Sequence, residues 1–302
     1  MVYTSGQGQH PDQILSSAKG KNMMRNLFVV LTVLLAICFS SAQAATLPAG
    51  KILYIDSAAA NTNYLATINP DGTGKVRLTT AFNNIMFPRF NESSGWIGFT
   101  NKTPEMGSEI YLLNKTGDRV RRVLTGAAFE DFSPDGKFFL YTTCDGKAEL
   151  YVYSLERKQA NKISQDLKVT AANWSADGAW VAVSALSDDG TSDLYLISTL
   201  AQGIKRLTAT EKVNESFPVF SKDGKFIVYF TDRHGENELE YLAVDQTEVQ
   251  RPIVRGIYPS LSPDNSWVVF QEGNTVGMAT IEGLEMKTLT PGRTPVWISN
   301  SR

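Results

Sequence analysis

The chain has 302 residues, with 29 Lys and Arg against 31 Asp and Glu, for a formal net charge of −2. That balance leaves no basic excess for binding nucleic acid. Two cysteines are too few for a disulfide-stapled fold, so stability must come from a packed core.

Residues 1–44 read as an export leader. Lys19, Lys21 and Arg25 precede the apolar run Leu27 to Phe39, and Ser40-Ser41-Ala42-Gln43-Ala44 follows. A basic start, a short apolar core and an Ala-x-Ala end describe a signal cleaved between Ala44 and Ala45. The run is too short to span a bilayer. Residues 1–22 are polar, and Met23 or Met24 is an alternative start. Lipid attachment at Cys38 is a second reading of the same leader, but Ile37 stands where lipoprotein signals carry a small residue. Loss of Asp12, Lys19, Lys21 and Arg25 brings the 29 basic and 31 acidic residues to 26 and 30, a net of −4. Cys144 is then the one remaining cysteine. With no second long apolar segment, the expected product is a soluble, periplasmic monomer without a membrane span.

Residues 45–50 form a short lead segment, and residues 51–302 form one repeat domain. Lys51–Asp56 is a strand with no partner before it. Tyr64–Ile68 follows, and Asn69-Pro70-Asp71-Gly72 turns the chain into Val76–Thr79. A calcium loop is excluded there because the spaced acids and closing Glu are missing. Then a unit repeats: Phe132-Ser133-Pro134-Asp135-Gly136, Trp174-Ser175-Ala176-Asp177-Gly178, Phe220-Ser221-Lys222-Asp223-Gly224 and Leu261-Ser262-Pro263-Asp264-Asn265. Each is followed by an alternating strand such as Phe226–Phe230. Gly, or Asn in its place, reaches the positive φ that the turn needs. Phe90 and Trp297 start a degraded and a truncated copy. The anchors Phe90, Phe132, Trp174, Phe220, Leu261 and Trp297 are 42, 42, 46, 41 and 36 residues apart. Apolar positions alternate by two, which predicts strands throughout. A strand-built repeat near forty residues predicts propeller blades. The fold class expected is all-β, a six-bladed β-propeller of four-stranded antiparallel blades. The first blade lacks its first strand and the chain ends on a spare one, Pro295–Ile298, so the terminal segments should pair and close the ring.

The repeat resembles the TolB-type propeller: aromatic-Ser-x-Asp-Gly-Lys, then Thr231-Asp232-Arg233-His234-Gly235, an acidic-Leu-Tyr strand, and Lys205-Arg206-Leu207-Thr208. The resemblance covers about residues 50–299. It implies a periplasmic, non-enzymatic propeller of the Tol–Pal envelope system that binds a Pal-like lipoprotein or another envelope protein or peptide. The family's amino-terminal domain is not expected here, because the first strand follows the cut within about ten residues; that argues against binding TolA.

Catalytic chemistry is sparse. A Gly-x-Ser-x-Gly elbow is missing. His234 is the one histidine beyond the leader, too few for the metal site of propeller lyases. Cys144, with no basic neighbour to lower its pKa, reads as a small packed side chain at a strand end. The sequence therefore implies no cofactor, no metal and no catalytic residue. A propeller enzyme acting on a polysaccharide and an envelope scaffold without a channel ligand are the alternatives.

The loops leading into the first strands share a face with the loops joining second to third strands. Three residues before the anchor they carry Phe87, Phe129, Phe217 and Tyr258. These either pack between blades or line the channel mouth. The same face should carry Glu105, Asp145, Asp188, Asp189, Asp232, Arg233, His234, Glu236, Glu272, Lys168, Arg255 and Arg293. The partner-binding set expected from this is the four aromatics with Arg233, His234, Asp188, Arg255 and Arg293.

Overall fold

In the computed structural model, the repeated turns close as the residue types demand. The residues described are Met1, 45–59, 62–80, 82, 84–104, 107–201, 203–245 and 250–299. The leader, Cys38, the Ala44 side of the cleavage site and Glu105 lie outside them. The chain divides into two compact units, Met1–Thr46 and Leu47–Arg302, and the propeller is in the second.

At the turn after Phe132, the Gly136 N–H donates to the Ser133 carbonyl at 2.9 Å, and the Ser133 hydroxyl donates to Asp135 Oδ1 at 2.6 Å. Phe138 N–H then donates back to Ser133 Oγ at 3.0 Å. Only the last turn residue takes positive φ, 68° at Gly136 and 61° at Asn265. This is a type I turn followed by a left-handed residue, inside a four-residue loop closed by the Ser133 N–H donating to the Phe138 carbonyl at 3.0 Å.

The turns separate the first two strands of blades 2 to 6. β1 (Lys51–Ala59), β2 (Thr62–Ile68) and β3 (Val76–Arg77) come first. β4–β7 are Ile85–Phe90, Trp96–Thr103, Gly107–Asn114 and Val120–Thr125. β8–β11 are Ala127–Phe132, Phe138–Thr143, Leu150–Ser154 and Gln159–Lys162. β12–β15 are Val169–Trp174, Trp180–Leu186, Ser192–Ser198 and Ile204–Arg206. β16–β19 are Glu215–Phe220, Phe226–Thr231, Glu238–Ala243 and Gln250–Arg255. β20–β23 are Ile257–Leu261, Trp267–Glu272, Thr275–Thr280 and Met286–Pro291, and β24 is Arg293–Ile298. They form six four-stranded antiparallel sheets, and among the described residues there is no helix. Blade 1 has the order β24-β1-β2-β3, so the last strand is the innermost strand of the first blade. Ile52 faces Trp297 and Leu53 faces Val296 in that pairing. The expected closure is therefore present. Blades 2 to 6 follow in chain order, and each inner strand packs on the next, β24 on both β4 and β20.

The remaining repeat residues hold the outer strands. In blades 2, 3 and 4 an acid at the start of the third strand pairs with a base on the fourth: Glu109 with Arg122 at 2.7 Å, Glu149 with Lys162 at 2.7 Å, Asp193 with Arg206 at 2.5 Å. The hydroxyl that ends the Arg-Leu-Thr motif accepts a third-strand N–H: Thr79 from Leu65 and Thr208 from Leu194, both at 2.9 Å. Ser164 does the same for Leu150 at 3.1 Å.

The core lies between blades. Leu53, Ile55, Leu65 and Val296 of blade 1 pack on Ile85, Ile97 and Phe99 of blade 2. Between blades 2 and 3, Phe129 is fully buried, with ring centroids 5.0 Å from Phe132 and 5.6 Å from Phe139. Gly98 makes room for it, since a Cβ there would sit 2.3 Å from the Phe129 ring. Gly98→Ala should destabilise by about 1–3 kcal/mol through overpacking. Adding Phe129→Leu should recover part of the loss, read as the shift in urea midpoint.

Candidate functional site

The channel is built by the six inner strands, and each strand carries a bulge where its register slips by one residue. In β4 the pairing steps from Met86↔Thr100 to Arg89↔Gly98; in β16 it steps from Ser216↔Phe230 to Val219↔Val228. The extra residue swings a side chain out of the sheet. Phe87, Phe217 and Tyr258 occupy that place at φ 48°, 54° and 56°, each directly before a buried proline, Pro88, Pro218 or Pro259. Thr294 before Pro295 does the same at φ 43°. A left-handed non-glycine residue is strained and persists only where its surroundings enforce it.

The three aromatic rings touch one another. Centroids are 4.5 Å apart for Phe217 and Tyr258, 5.6 Å for Phe87 and Tyr258, and 5.9 Å for Phe87 and Phe217. Blades 2 and 5 stand opposite in a ring of six, so rings from Phe87 and Phe217 can meet only at the axis. The aromatics form a plug across the channel, and burial pushes the Tyr258 phenol up. Phe129 does not join them. It is sandwiched between blades, because Glu130 replaces the proline that follows the other three. Of the two readings of the four aromatics, packing between blades holds for Phe129, while the other three lie in the channel.

Beyond the plug, toward the Ser-x-Asp-Gly turns, lies a cup of about 250 Å³. One residue of each inner strand, immediately before the anchor, lines it: Arg89, Asp131, Asn173, Val219, Ser260 and Val296. The rim includes Glu92, Ser93 and Lys222 on the turns. Asp131 accepts from Phe132 N–H at Oδ1 (2.9 Å) and from Asn173 Nδ2 (2.8 Å) and Trp174 N–H (2.9 Å) at Oδ2. Burial pushes its carboxyl up, with Arg89 opposing. Arg89 donates to the Pro88 carbonyl at 3.0 Å; burial pushes its guanidinium down, and Asp131 and Glu130 oppose. Behind this wall Glu130 accepts from Thr142 Oγ1 at 2.8 Å and from Ala172 N–H at 3.2 Å, and burial pushes its carboxyl up to about 7.

The charged residues expected at the mouth lie on the opposite, lead-in face and do not converge. Arg233 is half-buried and reaches Glu215 at 2.5 Å. The exposed His234 places Nδ1 2.8 Å from Glu238 and 3.9 Å from Glu240. Arg255 pairs with Glu236. All belong to blade 5. Asp188 lies on blade 4 beside Asp189, Lys168 and Lys212 in a surface groove of about 820 Å³. Arg293 stays within blade 1, donating to Asn63 Oδ1 at 3.1 Å. Donor atoms of His234, Glu238 and Glu240 lie within 4.8 Å of one another and could bind a divalent cation. Arg233 Nε stands 4.0 Å from Glu240, a competing positive charge. Cys144 is exposed, not packed as expected, because it falls just beyond the end of β9.

The sequence reading found the aromatics by their spacing but missed Arg89, Asp131 and Glu130. Their signal was the column before each anchor, which reads Arg, Asp, Asn, Val, Ser and Val.

Residues 130–297, just over half of the chain, match the TolB beta propeller domain (PD40). The chain belongs to the TolB β-propeller family. TolB from Acinetobacter baumannii is similar in structure, with a TM-score of 0.73 and 22% identity over 83% of this chain and 67% of that one. A structure assigned as TolB from Agrobacterium tumefaciens has a TM-score of 0.63 and 18% identity over 83% and 92%. At these identities the likeness shows the fold. The uncharacterized peptidase YuxL of Bacillus subtilis is 25% identical over 149 residues, 47% of this chain and 21% of that protein. The chain thus spans about a fifth of the length of that relative. Among the described residues, no helix of this TolB-type propeller is long and apolar enough to cross a membrane.

Proposed function

We propose that this chain is a non-enzymatic docking module of the cell envelope, exported on its leader, and that it binds a protein or peptide at the turn-face mouth of the channel. The observation that carries this is the one-ended cup. A cavity walled by all six blades, sealed by an aromatic plug and open among ordered turns, can receive a protruding side chain without any movement of the ring. His234, the one described imidazole, hydrogen-bonds to the Glu238 carboxylate, an arrangement that does not pair it with a hydroxyl or thiol nucleophile. Membership of the TolB family supports protein partners in general. A Pal-like lipoprotein is the first candidate, in the periplasm, with TolA the less suited partner and a monomeric propeller as the unit that docks.

A photo-crosslinking residue placed at Lys222, on the cup rim, should capture one envelope protein in intact cells. The same residue at Gln159, on an outermost strand, should not. Capture from Asp188 or Arg255 alone would move the docking site to the lead-in face, and capture from none would defeat the reading. The likeness to a peptidase favours a second reading, a propeller enzyme acting on a peptide or polysaccharide. Turnover of cell-wall peptides or glycans by the purified chain would replace the first reading with that one.

A further inference from the structure

We propose that the cup holds a carboxylate of its partner, from an acidic side chain or a chain terminus, on the Arg89 guanidinium. This rests on the docking reading above and adds what the docked group is.

The argument is an accounting of polar groups around the cavity. Asn173 has both ends of its amide engaged: Oδ1 accepts from Phe220 N–H at 2.8 Å while Nδ2 donates to Asp131. Asn91 donates to the Ser133 carbonyl at 2.9 Å and accepts from Ser94 N–H at 2.8 Å. Ser260 Oγ accepts from Trp297 N–H at 3.0 Å. Asp131 has both oxygens taken by three donors. These groups hold blade to blade and have little left for a ligand.

Arg89 differs. A guanidinium carries five N–H donors in a planar fork, and this one directs a hydrogen bond to the neighbouring Pro88 carbonyl. Among the described residues it forms no ion pair, although Asp131 and Glu130 are near enough to act on its charge. A cation facing a cavity whose polar wall groups, Asn91, Asp131, Asn173 and Ser260, are already engaged with one another or with backbone gains most from a counter-charge that brings its own acceptors. A carboxylate matches the fork with two oxygens. Lys222 adds a second positive charge at the rim, with Glu92 as the opposing charge there. The volume, about 250 Å³, suits one side chain or chain end rather than a folded loop, and the plug stops anything from threading through.

Three capped tripeptides test this: acetyl-Gly-Glu-Gly-amide, acetyl-Gly-Gly-Gly with a free carboxylate, and the neutral acetyl-Gly-Gln-Gly-amide. At least one charged peptide should bind about tenfold or more tightly than the neutral one by calorimetry or NMR titration. The stronger of the two identifies the source of the carboxylate. Arg89→Gln should remove that preference, Arg89→Lys should restore part of it, and Arg255→Gln on the other face should leave it unchanged. Thermal melting of each variant checks that the ring is intact. Equal binding of all three peptides, binding by none, or a preference that survives Arg89→Gln overturns the proposal. If a partner is crosslinked from Lys222 while no peptide shows a carboxylate preference, docking stands and the carboxylate falls. If the peptides behave as expected but no partner is captured, the docking reading falls instead.

Discussion

Deleting residues 293–302 should cost the propeller its cooperative unfolding transition. Those residues contain β24, the innermost strand of blade 1, and three blades lean on it. Val296 completes the core between blades 1 and 2 with Leu53, Ile55, Ile85 and Phe99. Trp297 is 7% exposed, donates its N–H to Ser260 of blade 6 and donates its indole N–H to the Ala49 carbonyl at 3.2 Å. Without the strand, β1 becomes an open edge with unpaired backbone groups, and the flanks of blades 2 and 6 face water. A milder change shows the same dependence. Trp297→Ala should cost about 3–5 kcal/mol, which for a domain of this size is a drop of roughly 10 °C in Tm. Far-UV circular dichroism during heating, with tryptophan fluorescence in urea, measures both variants. A synthetic peptide covering 291–302, added to the deletion variant, should restore part of the transition by strand addition. A deletion variant that melts within about 2 °C of the parent would mean that the ring does not depend on this strand.

Legibility in the sequence followed distance along the chain. The turns are local devices, so Ser133, Asp135 and Gly136 announced their own hydrogen bonds. The blade count came from repeating those devices at a fixed spacing. Closure was legible too, because blade 1 begins without an inner strand and the tail supplies one. The axis was harder to read. Phe87, Phe217 and Tyr258 looked equivalent to Phe129, and what separates them is the following residue, proline in three copies and Glu130 in the fourth. With the left-handed φ before a proline the ring turns to the axis; Phe129, in a bulge of its own but without that φ, stays between the sheets. Charges on the lead-in loops were read as sharing one face, yet a shared face is a weaker statement than convergence. Arg233, His234 and Arg255 satisfy one another's neighbours within blade 5, so their count gave no measure of a site. Arg89 was hidden for the opposite reason. It is one charge in a strand, and its meaning depends on five residues contributed by five other blades.

The parent protein should lose stability as pH rises from about 4.5 to about 7, and Glu130→Gln should abolish most of that loss. Glu130 lies behind the cup wall and is 8% exposed. Burial is the largest influence on its carboxyl and raises it from 4.5 to about 7; Thr142, Arg89 and the Ala172 N–H pull the other way, and Asp131 pushes further up. In the unfolded chain this group ionises near 4.5, whereas in the folded chain it keeps its proton to about 7. Between those values the folded state binds more protons than the unfolded state, so the slope of stability with pH is negative. Below the window both states are protonated and the contribution is full. Above it both are ionised, and the folded state carries the cost of a buried charge, at most about 3 kcal/mol. Gln keeps the shape, can accept from Ala172 N–H and can donate to a rotated Thr142 hydroxyl, but it cannot ionise. Urea unfolding of both proteins at several pH values isolates the group together with its coupling to Asp131, because the difference between the two curves cancels the titrations that do not interact with Glu130. That difference should grow in favour of Gln from pH 4.5 to 7 and then level off. A difference that is flat across the window, or one that grows in favour of the parent, would place the Glu130 carboxylate in a setting that welcomes its charge, and the cup wall would have to be more polar than its partners indicate.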